Sequence, residues 1–161
     1  MHKNCFRSFV VSLTILLPFT LQAKTVNLQN QTASLGFSPN AGAASIILKA
    51  INEAQLSIDA AAFVMTSDDI FTALVDAHNR GIDVRVVVDA KSANGNGSDV
   101  QALLDAKIPV KLNNEFRIMH NKYIVVDNKS VQTGSFNYSS NAEKRNAENV
   151  LLLENQPDIA E

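Results

Sequence analysis

The run Asp83-Val84-Arg85-Val86-Val87-Val88-Asp89 constrains the fold of this chain most. β-Branched side chains are stiff about χ1 and sit well on a pleated surface. A nearly continuous run of them predicts a strand covered on both faces, as in sheets with helices on either side. The preceding segments alternate accordingly. Leu35 to Phe37 reads as a strand, and Ser38-Pro39 as an N-cap followed by proline in the first helical turn. Ile47, Leu48, Ile51 and Ala54 then mark an apolar helical face. Leu56 to Val64 reads as a buried strand. Ser67-Asp68-Asp69 opens a second helix with acids at its positive end, and Arg80-Gly81 closes it. Ser98 and Gln101 predict a capping box for a short helix through Ala106. Strands are expected at Ile108 to Leu112, His120 to Val126, Ser130 to Thr133 and Asn149 to Leu153. The fold class is therefore α/β, with a mixed, mostly parallel sheet sandwiched between helices.

At 161 residues there is room for one domain with a substantial core. Lys3 and Arg7 form a basic start, Phe9 to Leu21 is apolar, and Leu21-Gln22-Ala23 offers a cleavage site. That apolar stretch is shorter than the roughly 20 residues that span a bilayer, so residues 1–23 read as a signal peptide. Residues 24–161 are then a single domain, periplasmic or secreted, with no stable membrane association after cleavage. Cys5 is the one cysteine and leaves with the signal, so the mature chain has neither disulfides nor thiolate ligands.

Charge runs against a simple polyanion binder. Without Lys3 and Arg7 the basic count falls from 14 to 12 against 16 acids, a net of −4. The acids collect between Glu53 and Asp105. Lys111, Arg117, Lys122, Lys129, Lys144 and Arg145 face only Glu115, Asp127 and Glu143 in the later stretch. A local positive cleft on an acidic body still attracts a polyanion.

The chemistry is concentrated in that later stretch. His120 and Lys122 stand two apart, Asp127 follows, and Gly134-Ser135-Phe136-Asn137 comes next, an H-x-K-x4-D-x6-G-S-x-N pattern. Residues two apart on a strand project from the same face. An imidazole beside an ammonium, with Ser and Asn donors on the next segment, suits attack on a phosphodiester. The imidazole is a candidate nucleophile, and the lysine and amide can hold phosphate oxygens. The acids nearby are not grouped as paired two-metal carboxylates, so neither metal nor cofactor is expected. The loop Ser92-Ala93-Asn94-Gly95-Asn96-Gly97 lacks the Gly-Lys-Ser/Thr ending of a phosphate loop and reads as a connector.

This pattern resembles the phospholipase D superfamily and its HKD motif, in particular the short bacterial endonucleases with one motif copy per chain. The likeness runs from Leu35-Gly36-Phe37-Ser38-Pro39 through Asn146-Ala147-Glu148-Asn149-Val150. It implies that His120 is the nucleophile of a covalent phosphohistidine, that Lys122 and Asn137 bind the phosphate, and that Ser135 bonds near the reacting groups. It implies that Glu148 bonds and orients the catalytic imidazole, as a triad acid does. Asp127 matches the motif acid, but strand parity turns it away from His120, so a structural role around the Asn128 turn is expected. Relatives of this size continue into a C-terminal helix. Pro157 to Glu161 can only begin one, which would leave part of the sheet uncovered.

One histidine cannot both attack as a neutral base and donate as an acid. His78 sits near a helix end, where bonding to terminal carbonyls is an ordinary explanation. The expected partner is therefore His120 of a second chain, in a homodimer with one shared site. Three readings follow. The favoured one is a sequence-nonspecific endonuclease acting on DNA, with RNA a second substrate. The others are a phospholipase or phosphatidyltransferase, and a non-catalytic dimeric DNA-binding module on the same fold.

Overall fold

A computed structural model describes residues 32–161, so the expected signal peptide lies outside the described residues. In chain order the elements are β1 (Ala33–Ser38), α1 (Ala43–Asn52), β2 (Ser57–Ala62), β3 (Met65–Thr66) and α2 (Asp68–Asn79). They continue with β4 (Asp83–Asp89), α3 (Val100–Asp105), β5 (Val110–Asn113), β6 (Lys122–Val126) and β7 (Ser130–Gly134). The last are β8 (Tyr138–Ser139), α4 (Ser140–Lys144), β9 (Glu148–Leu153) and α5 (Pro157–Ala160). Seven strands form one sheet in the order β1-β9-β7-β6-β2-β4-β5, and β3 pairs with β8 separately.

The sheet is mixed, as the alternation of elements predicts, but mostly antiparallel where a mostly parallel one was expected. Only β2–β4 and β4–β5 are parallel. The β1–β9, β9–β7, β7–β6 and β6–β2 pairs are antiparallel. Connection length is the reason. A parallel pair needs a long crossover, and the first half supplies helices α2 and α3 for it. Between β6 and β7 there is only a tight turn. Asp127 and Asn128 have φ of 54° and 53°, and Lys129 N–H bonds the Val126 carbonyl, the mirror-image turn that suits a hairpin.

Helices α1 and α2 pack on one sheet face, where Ile47, Ile51, Ile70 and Leu74 meet Ile58, Ile124 and Val150. Burying side chains of this size contributes roughly 1.5–3 kcal/mol each. The other face departs from the expected sandwich. Among the described residues only the four-residue α5 packs there, beside β7. Leu35, Phe37 and Tyr123 remain exposed on it, and Arg85 lies in the open, bonded twice to Asp59 across β2 at 2.7 Å. The valine run of β4 is thus covered on one face: Val84, Val86 and Val88 are buried, while Val87 is half-buried. Ser38-Pro39 does not start α1; Gly42, at φ 88°, precedes the first helical residue, Ala43.

Candidate active site

Strand register gathers the chemistry at one edge of the sheet. Ala62 at the end of β2 pairs with Lys122, Tyr123 with Thr133, Gly134 with Val150, and Glu148 with Ser38. The carboxyl ends of β2 and β4 thus meet the start of β6, the end of β7 and the start of β9. Ligands of open α/β sheets bind outside the carboxyl ends of the strands.

His120 is exposed and stands two residues before β6 rather than within it. Lys122 opens β6 with its side chain drawn inward, only 7% exposed, and its Nζ donates to the His120 carbonyl at 2.6 Å. The Phe63 ring, one residue past β2, lies 4.6 Å from the His120 ring and 5.2 Å from Lys122 Nζ. That contact seats the imidazole and offers the ammonium a ring face. Burial lowers the Lys122 pKa from its ordinary value, and the negative charge of Glu148 partly opposes the shift.

On the next segment Gly134 runs against β9 so closely that a Cβ there would meet the Asn149 carbonyl oxygen at 2.1 Å. Only glycine fits, and this brings Ser135 onto Glu148. Ser135 Oγ donates to Glu148 Oε2 at 2.6 Å and accepts the Asn149 N–H at 3.1 Å. Asn146 Nδ2 donates to Glu148 Oε1 at 3.0 Å. The expected hydrogen bond from Glu148 to the imidazole is not formed among the described residues; Ser135 and Asn146 donate to its two oxygens instead. Glu148 instead acts at this edge through its charge, which Lys122 feels. Asn137 is half-buried, and its Oδ1 is buried without a hydrogen-bond partner.

Asp127 is no part of this constellation. It lies at the far end of β6, and its carboxylate accepts the backbone N–H groups of Gln55, Leu56 and Ser57 at 3.1, 2.7 and 3.0 Å. The expected bonds to the turn around Asn128 are replaced by these. Within the turn, the Lys129 N–H is already taken by Val126, whereas the segment entering β2 presents three donors. Burial alone would raise the Asp127 carboxyl; the three backbone donors outweigh it and hold it below the ordinary range.

Sequence reasoning missed Phe63 and Asp89. Asp89 ends β4 and is 2% exposed. Its Oδ1 accepts from the backbone N–H groups of Lys91 and Ser92, and its Oδ2 from Met119 N–H at 2.9 Å. It thereby ties the loop after β4 to the residue just before His120. An acid closing a buried parallel strand was the available signal, since that strand end faces the crevice. His78 lies in the last turn of α2, five residues before β4 begins, and so at the opposite sheet edge from Asp89. A strand of that length separates the two by about 20 Å. No group of three or more His, Cys, Asp or Glu that could hold a metal occurs among the described residues.

A family model described as "Cardiolipin synthase, PLD-like domain" matches residues 47–161. The phospholipase D of Rickettsia conorii is 39% identical over 155 residues, covering 94% of this chain and 77% of that protein. The mitochondrial cardiolipin hydrolase of Mus musculus is 36% identical over 110 residues, 68% of this chain and 50% of the mouse protein. Among solved structures, Nuc from Salmonella typhimurium, a phospholipase D family member, superposes with a TM-score of 0.78 at 37% identity. It covers 81% of this chain and 88% of its own. NucT from Helicobacter pylori gives 0.70 at 27% identity, covering 81% and 89%. The chain belongs to the phospholipase D-like family. Its fold is that of Nuc, and its site is one for phosphodiester chemistry.

Proposed function

We propose that this protein is a sequence-nonspecific endonuclease, periplasmic or secreted, that hydrolyses nucleic-acid phosphodiester bonds through a phosphohistidine at a site shared by two chains. One observation carries the reading: an exposed His120 stands over a buried Lys122, with the half-buried Asn137 on the neighbouring segment. In the first step an imidazole nitrogen of His120 bonds phosphorus, and the bond to the leaving oxygen breaks. That oxygen takes its proton from the imidazolium of the partner's His120. In the second step water attacks phosphorus, the partner's imidazole takes its proton, and the P–N bond breaks to release a phosphomonoester. Lys122 and Asn137 hold the non-bridging oxygens as charge builds on them.

The position of His78 at the far sheet edge supports the shared site, since it leaves one histidine among the described residues of each chain near the chemistry. Nucleic acid is favoured because this chain spans nearly nine-tenths of both Nuc and NucT with the same fold. These groups address only the phosphodiester, which accounts for low sequence specificity. A second reading, cleavage of phospholipid headgroups, is supported by the relatives named phospholipase D and cardiolipin hydrolase. Incubating the mature protein with plasmid DNA and RNA in excess EDTA, beside phosphatidylcholine and cardiolipin vesicles, tests both. Cleavage of nucleic acid alone is the expected result. Lipid hydrolysis without nuclease activity would replace the reading, and DNA binding with neither activity would make the protein a binding module.

A further inference from the structure

Beside His120, across the Phe63 ring, lies a pocket of about 430 Å³ that the chemistry above does not use. Phe63, Asp89, Lys91, Ser92, Arg117 and Ile118 line it. Phe63 and Ile118 make an apolar wall. Lys91 and Arg117 are exposed at the rim, and neither forms an ion pair with a described residue. Asp89 lines the same pocket, but its carboxylate is enclosed and bonded to three backbone N–H groups, and it makes no ion pair with either cation.

The two walls are also joined. Asp89 links the Lys91-Ser92 backbone to Met119, and Lys91 Nζ donates to the Arg117 carbonyl at 3.2 Å. The rim cations are therefore held on two loops braced against each other and against the residue preceding His120. An apolar wall with exposed cations at its lip is the chemistry that receives an unstacked base and a phosphate. The same cations repel a choline headgroup.

We propose that this pocket holds the nucleotide adjoining the scissile phosphate, its base against Phe63 and Ile118 and its further phosphate on Lys91 and Arg117. The proposal rests on the endonuclease reading and deepens it: the preferred substrate carries a second phosphate beyond the one attacked. Each cation adds a charge-assisted bond to substrates long enough to reach it, and little to shorter ones.

The test compares a single-stranded oligonucleotide with a dinucleoside monophosphate, whose only phosphodiester is the scissile one. In Arg117→Ala and Lys91→Ala the ratio of kcat/KM for the longer to the shorter substrate should fall about tenfold, mainly through KM. Arg117→Lys should retain most of the ratio. Oligonucleotide binding, measured in a His120→Asn background, should lose about 0.7 from its log–log salt slope for each cation removed. An unchanged ratio and slope in a protein that cleaves both substrates would overturn the subsite and leave the endonuclease standing. Equal losses on both substrates with a lowered Tm would make Lys91 and Arg117 merely structural. A wild-type protein that hydrolyses phosphatidylcholine and neither nucleic acid would overturn the endonuclease reading and the subsite together.

Discussion

Ser135 turns its hydroxyl onto β9, donating to Glu148 Oε2 at 2.6 Å and accepting the Asn149 N–H at 3.1 Å. Because Glu148 is held in this way, its negative charge stays near the buried Lys122, whose pKa it raises against the larger effect of burial. The motif serine therefore acts on Lys122 through a carboxylate.

This chain of contacts has a pH consequence. The folded pKa of Lys122 lies below the ordinary 10.5, so its ammonium is lost earlier than an exposed lysine's. The alkaline limb of oligonucleotide binding, measured in His120→Asn so that no imidazole of the site contributes, should fall below that value. Glu148→Gln removes the opposing charge and should move the limb lower still. A limb that stays in place in Glu148→Gln would separate Glu148 from Lys122.

His120→Asn should reduce turnover by about a thousandfold or more, since it removes the attacking nitrogen. The side chain is exposed, so unfolding free energy should stay within about 0.5 kcal/mol of wild type. Single-turnover assays beside urea unfolding measure both. A folded variant with near-normal activity would return the nucleophile to question.

Asp127→Asn should do the reverse. It leaves the site's edge untouched but weakens the acceptor for three backbone N–H groups at the entry to β2. A cost of about 2 kcal/mol in urea unfolding at neutral pH is expected. The folded carboxyl titrates below the ordinary 3.8, so its contribution is complete above that value and is lost as pH falls through the folded pKa. Wild type should lose more stability than Asp127→Asn on acidification. Asp89 is depressed as well, its three backbone donors outweighing burial, and adds to the same acid loss.

The shared site predicts a non-linear mixing curve. With freely exchanged wild-type and His120→Asn chains at fixed total protein, activity should follow the square of the wild-type fraction. Native mass spectrometry of the mixture verifies exchange. A linear fall with exchange verified would mean that one chain holds a complete site.

Local chemistry was readable at some positions whose partners are near in sequence, although Ser38-Pro39 caps no helix and Ser98 and Gln101 form no capping box. The bounds of β4, from Asp83 to Asp89, match the valine run, and Arg80-Gly81 closes α2 with Gly81 at φ 89°. The H-x-K spacing also placed a histidine and a lysine together, although the strand begins only at Lys122. His120 therefore reaches the site through a loop held by Asp89 and Phe63, neither of which lies in the motif.

What the chain's own residues determined are the elements, because propensity, capping and turn chemistry act over a few positions. Only the tertiary structure decided which strand lies beside which, and therefore which polar groups meet. Asp127 finds Leu56 at a separation of 71 residues because β6 runs antiparallel to β2. Glu148 is taken by Ser135 rather than by His120 because β7, not β6, is the neighbour of β9. A carboxylate bonds the donor that the sheet order brings within 3 Å, and that order depends on the packing of all seven strands at once.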